Sequence, residues 1–157
     1  MKYKLIGTND YAFDPQQTIF ENRGIMDMEQ FLTLSIKDTH HYKLLKNINI
    51  AIKCLDKHIK RDNNILIVVD PDVDGYTSAA IMYQYIKLIN SQAKVYYALH
   101  DDKTHGLKGI HIEDHINLVI TPDSGSNDFE YHKQLKERNI ETLVLDHHEI
   151  ERESDDA

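Results

Sequence analysis

A single cysteine, Cys54, stands in a chain of 157 residues. No internal disulfide can form, and such sparing use of cysteine suits a reducing, cytoplasmic setting. No stretch approaches the roughly 18 apolar residues that a membrane helix needs. The opening MKYKLIGTNDYAFD holds too short an apolar run for a secretion signal. Positive charge is also scarce: 18 lysines and arginines face 26 acids, a formal net charge of −8. That balance disfavours a nucleic-acid binder held by a broad basic surface. It does not disfavour one that meets phosphates through bound cations, which offset the charge of their own ligands. Five of the acids, Glu149, Glu151, Glu153, Asp155 and Asp156, also crowd the last nine residues. The remaining composition, 41% hydrophobic and 28% charged, is that of an ordinary globular domain able to bury about 68 to 70% of its unfolded surface.

Residues 1 to 20 carry the turn formers Gly7, Asn9, Asp10 and Pro15 without a sustained period, which predicts an irregular or short edge element. Two helices are expected between Met28 and Lys60. The second, over 42 to 60, aligns Leu45, Ile48, Ala51, Ile52, Leu55 and Ile59 on one stripe. Beyond Asn63-Asn64 the pattern changes. ILIVV (65 to 69), KVYYAL (94 to 99), NLVIT (117 to 121) and TLVL (142 to 145) read as strands. Helices are expected over Thr77 to Asn90, with Ala79, Met82, Tyr83, Ile86 and Ile89 on one face, and near 128 to 138. Strands apolar throughout that alternate with helices predict an α/β domain, a parallel sheet with helices on both faces. It spans 63 to 157, preceded by an irregular and helical N-terminal lead-in, 1 to 62, that packs on the core. Tyr76, Tyr96 and Tyr97 fall where core packing would use them.

In parallel sheets, chemistry collects outside the carboxyl ends of the strands. Here those ends carry Asp70, Asp72 and Asp74 in VVDPDVDG, Asp123 behind NLVIT, and Asp146-His147-His148 behind TLVL. Carboxylates about 4 Å apart repel by roughly 1 to 4 kcal/mol per pair, so such crowding calls for a cation. A mixed oxygen and nitrogen set without cysteine leans towards Mn²⁺ or Mg²⁺, and seven candidate ligands are too many for one ion. Two bridged ions would suit phosphoryl transfer. A calcium-binding helix-loop-helix shares the D-x-D-x-D-G spacing but needs an acid where Ile81 stands, and a helix where ILIVV stands. A haloacid-dehalogenase-type site, with Asp70 as nucleophile, Asp72 as acid and Thr121 as phosphate-binding hydroxyl, leaves Asp74, Asp123 and both histidines idle. Turn formation after strands explains each element singly but not three together.

The ordered set resembles the N-terminal part of the DHH phosphoesterase superfamily, and within it the RecJ-type single-strand-specific exonucleases. DPDVDGYTSAA is similar to the family's first motif, ITPDSGSND to its second and LVLDHH to its third, while NRGIMDMEQFL resembles the RecJ lead-in. The resemblance implies that Asp70 and Asp72 hold one ion, Asp74 and His147 the other, and that Asp123 bridges them. His148 would face the scissile phosphate, with Asp146 orienting the histidines from behind. It also implies 5′ to 3′ exonuclease activity on single-stranded DNA with two Mn²⁺ or Mg²⁺ ions, and a single-strand-binding protein or helicase as partner. A phosphodiesterase for short oligonucleotides or cyclic dinucleotides would share the site, and a non-catalytic metal-binding module is the third reading. In YALHDDKTHGL, His100 stands where arginine is usual and Thr104-His105 where Gly-Tyr is usual; His100, Lys103 and His105 are the candidate substrate contacts beside His148. Ser124 replaces a common cysteine. The family's fourth-motif aspartate and its substrate-clamping domain lie further on, so the chain is expected to be truncated before both.

Overall fold

The computed structural model describes Gly7 and residues 13 to 157, which form two compact units divided after Lys46. The first holds helices α1 (Pro15–Asn22) and α2 (Met28–Leu32), followed by 3-10 turns at Ile36–Asp38 and Tyr42–Leu44. The irregular element expected over residues 1 to 20 is therefore corrected from Pro15 onward; the earlier part lies, apart from Gly7, outside the described residues. Pro15 starts a helix instead of breaking one. It sits at the first helical position, where its missing N–H leaves nothing unpaired, and Asp14 caps the turn by accepting the Gln17 N–H at 2.9 Å. The helix expected over 42 to 60 is also shorter, because Asn47 adopts the left-handed region at φ 58° and restarts the chain.

The second unit holds α3 (Ile48–Lys60), β1 (Ile65–Val69), α4 (Val73–Ile89), β2 (Val95–Leu99), β3 (Leu118–Pro122), α5 (Phe129–Glu137) and β4 (Glu141–Leu145). The strands make one parallel sheet in the order β2-β1-β3-β4. Ile65 pairs with both Val95 and Leu118, and Leu118 pairs with Glu141. Alternate residues of β1 serve opposite faces, as the period of two requires. Ile65, Ile67 and Val69 meet Leu55 and Ile59 of α3 and Ala79 and Ile86 of α4. Leu66 and Val68 meet Leu107, Ile116 and Leu135 on the other side. The sheet is covered on both faces, the α/β architecture that the alternation predicts. The sequence pattern divides the chain after residue 62 while the compact units part after Lys46; α3 carries Leu55 and Ile59 into the sheet's core.

Helix α4 begins four residues earlier than expected because Asp72 caps it, accepting the Gly75 N–H at 2.9 Å. Ala79 and Ile86 are buried on the sheet, whereas Tyr83 and Ile89 are exposed. The expectation for the tyrosines is also overturned: Tyr76, Tyr96 and Tyr97 are 51%, 43% and 68% exposed. β2 is an outer strand among those described, and α4 carries apolar residues such as Ile81 and Leu88 on its exposed side as well, so the sheet covers only one stripe of them. Among the described residues no helix is long and apolar enough to cross a membrane. The chain leaves β1 to one side for β2 and returns past it to β3, so the switch in strand order falls between β1 and β3. Ligands gather at such a point.

Candidate metal centre

Asp70 is the first residue past β1 and only 1% exposed. Its Oδ1 accepts the Gly106 N–H at 3.3 Å, and His105 Nδ1 stands 2.6 Å from its Oδ2. Both contacts tie the 100 to 107 loop to the strand end. Asp72 and Asp74 follow at the start of α4. The Gly75 N–H and the Asp74 side chain hold the Asp72 carboxyl below its ordinary range, and acids in a first turn also suit the positive end of the helix. Gly75 is required by proximity and not by a turn. A Cβ there would lie 2.5 Å from both the Cβ and the carbonyl oxygen of Asp70, so the first turn of α4 lies directly on the end of β1.

Asp123 follows β3 in the left-handed region, φ 80°, which Asp tolerates better than most residues. Its N–H donates to the Leu145 carbonyl at 2.7 Å, carrying the β3 to β4 pairing one residue beyond the strand. Its Oδ1 lies 3.0 Å from His147 Nε2. Its Oδ2 is buried without a hydrogen-bond partner. Burial, and then the charges of Asp74 and Asp72, push its pKa up. A buried, orphaned carboxylate oxygen beside two other acids is completed by a cation more readily than by another protein group.

Two overlapping ligand sets result. Asp70, Asp72 and Asp123 place ligand atoms within 4.8 Å of one another, and so do Asp123, His147 and His148. Asp123 is common to both. Asp74 Oδ2 lies 4.0 Å from His147 Nε2, at the edge of the second set. Mostly hard oxygens with imidazole suit Mn²⁺ or Mg²⁺.

Asp146 falls in neither ligand set and instead holds the turn that carries the histidines. Its side chain is 3% exposed and accepts the N–H groups of Ser126 and His148, each at 3.0 Å, and the His148 Nδ1 proton at 2.7 Å. Burial would raise its pKa, but the hydrogen bonds from His148 and Ser126 outweigh it and hold the carboxyl at about 2. The same bond pushes His148 up. Folding lowers this carboxyl from an ordinary value of about 4, so its stabilisation, on the order of 2 kcal/mol, is complete above about pH 4 and lost as pH falls through about 2. Asp146→Asn is expected to flatten that acid limb in urea unfolding between about pH 5 and 2. Parallel losses in variant and wild type would contradict this linkage.

Of the loop candidates, His105 turns to Asp70, His100 is half-buried with Nε2 shut off from water and unpaired, and Lys103 is exposed. Two supports had no expectation attached. Ser126 donates to Asp146, and Asp128, placed like a helix cap, instead accepts the Leu107 N–H at 2.6 Å. The only sequence signal for either is polarity before a helix, which reads as ordinary capping.

Residues 64–157 match the family model described as DHH family, N-terminal domain. Over its whole length the chain is 46% identical to the provisionally named SPbeta prophage-derived single-strand DNA-specific exonuclease YorK of Bacillus subtilis (strain 168), of which it spans 27%. It is 27% identical over 128 residues to the single-stranded-DNA-specific exonuclease RecJ of the same species, a match covering 75% of this chain and 16% of that protein. Two solved structures share the fold. RecJ in complex with Mn²⁺ from Thermus thermophilus gives a TM-score of 0.61 at 19% identity over 87% of this chain and 19% of its own. Exonuclease RecJ bound to manganese gives 0.59 at 23% identity over 69% of this chain and 29% of its own. The chain thus spans about a quarter or less of the curated relatives it matches.

Proposed function

The chain belongs to the DHH family, and on that premise we propose that it supplies the metal-binding core of a single-strand-specific 5′ to 3′ DNA exonuclease that hydrolyses phosphodiesters with two divalent ions. The observation that carries this reading is Asp123, which belongs to both ligand sets and keeps one carboxylate oxygen buried without a partner. Asp70 and Asp72 would hold one Mn²⁺ or Mg²⁺, Asp74 and His147 the other, with Asp123 shared; the manganese in the two RecJ structures supports that choice. Such ions polarise a phosphoryl group, lower the pKa of water and steady the attacking and leaving oxygens.

The chain's own residues do the rest. Asp146 fixes His148 through Nδ1 and raises its pKa, so the imidazole keeps its proton to higher pH and can donate from its other nitrogen to a phosphate oxygen. His147 is held against Asp123. The exposed Tyr76 and Tyr97 are available for stacking unpaired bases. With a net charge of −8, phosphate recognition falls to the cations and not to a basic face. A single-strand-binding protein or helicase as partner, and a cytoplasmic location, follow from the same family reading.

The test uses the natural protein that carries this chain, with Mn²⁺ and end-labelled DNA. A 5′-labelled single strand should release its label as the first product while duplex is spared. Intact single strands, or preference for a dinucleotide over a long strand, would overturn the proposal.

A further inference from the structure

At the other end of the sheet, about 15 Å down β4 from Asp146 at the rise of a strand, three side chains converge that the catalytic reading does not use. We propose that Cys54, His58 and Glu141 form a second metal site, for Zn²⁺ or another borderline-soft divalent cation, joining α3 to the start of β4. Cys54 and His58 are four residues apart on α3 and so share one helical face. Glu141 opens β4 opposite them. Cys54 Sγ lies 3.7 Å and His58 Nε2 2.5 Å from Glu141 Oε2, and the three ligand atoms fall within 4.8 Å of one another. Slight spreading of the imidazole and carboxylate opens that cluster to tetrahedral zinc, with solvent in the fourth position. The His58 side chain is only 4% exposed. Its Nδ1 meets the Asn63 side-chain amide at 3.0 Å, the outer partner that orients a ligating imidazole once the amide presents its oxygen.

Lys57 competes for the site, since its ammonium also bonds Glu141 Oε2. Thiol, imidazole and ammonium therefore all crowd one carboxylate oxygen. Lys57 is about one-third exposed, 34%, on a flexible stem, and can turn to water when a cation arrives. Thiolate and carboxylate then balance the two charges of the ion, and the thiol proton leaves to solvent. The set differs in kind from the strand-end carboxylates: a thiolate selects a softer ion than Mn²⁺ or Mg²⁺.

Cobalt titration of the reduced full chain tests this. Cys54 is the only cysteine in the sequence, so a thiolate-to-cobalt charge-transfer band can arise nowhere else, whatever ions the carboxylate rim takes up. The expected result is a band that saturates at about one Co²⁺ per chain and is displaced by Zn²⁺. Cys54→Ser should abolish it, His58→Gln should weaken binding at least tenfold, and Lys57→Gln should tighten it several-fold. Absence of the band at saturating Co²⁺ in both wild type and Lys57→Gln would overturn the site, leaving an ion-pair cluster alone. So would a band that survives Cys54→Ser. Neither outcome bears on the exonuclease reading.

Discussion

Asp123→Asn is expected to weaken Mn²⁺ binding by at least about 100-fold and to remove the rise in melting temperature that the ion produces. Outer partners of metal ligands already cost about 10- to 100-fold, and Asp123 is the residue common to both ligand sets. Asparagine is the informative substitution because it keeps the shape of the side chain and tolerates φ 80°, whereas alanine there adds about 1 to 2 kcal/mol of backbone strain of its own. Without metal the effect should reverse in sign. Folding raises the Asp123 pKa, chiefly through burial, so the group's favourable contribution is full below its unfolded pKa and lost as pH rises through the folded one. At neutral pH the charge is a liability to the metal-free fold, and Asp123→Asn should melt a few degrees higher than wild type. Calorimetric titration with Mn²⁺ and melts with and without the ion provide the check. Unchanged affinity, or a variant less stable than wild type without metal, would remove Asp123 from the centre of the site.

Gly75→Ala is expected to cost about 3 kcal/mol, the upper part of the usual range for overpacking. The added methyl would meet the Cβ, carbonyl oxygen and carbonyl carbon of Asp70 at 2.5, 2.5 and 2.8 Å. These belong to the backbone and first side-chain atom of a buried strand end, which cannot swing away. The helix start must lift instead. That breaks the Asp72 cap on the Gly75 N–H and shifts Asp70 and Asp72 together, so Mn²⁺ affinity should fall with stability. Gly109→Ala is the control: Gly109 has a positive φ, 79°, which Gly75 does not, and nothing lies within 4 Å of a Cβ there, so only the backbone strain of about 1 to 2 kcal/mol applies. Equal urea midpoints for the two variants would mean that the close approach of α4 to β1 is not a constraint.

The site was more legible than the surface that surrounds it. Strands apolar from end to end, each closing on an acid or a histidine, imply a parallel sheet, and a parallel sheet puts those ends on one rim. Asp70, Asp123 and Asp146 could thus be brought towards one another before any distance was known. The tyrosines could not be placed that way. Tyr76, Tyr96 and Tyr97 lie in apolar segments, but whether an apolar residue is covered depends on which strand is outermost and which stripe of α4 meets the sheet. Pro15 was misleading for a local reason: it breaks a helix interior but suits a first turn, and only the Asp14 cap distinguishes the two.

The sequence by itself determined the fold class, the family and the identities of the residues at the strand ends, because hydrophobic periodicity and short motifs are local properties of the chain. Only the tertiary structure decided that Gly75 is there for close packing, that Asp128 serves Leu107 instead of its own helix, that His105 turns to Asp70, and that Cys54 and His58 find Glu141. Each of these is a meeting of residues far apart in the chain or across two packed elements. Such meetings are set by strand order and by how closely helix and sheet approach, and no local pattern encodes either.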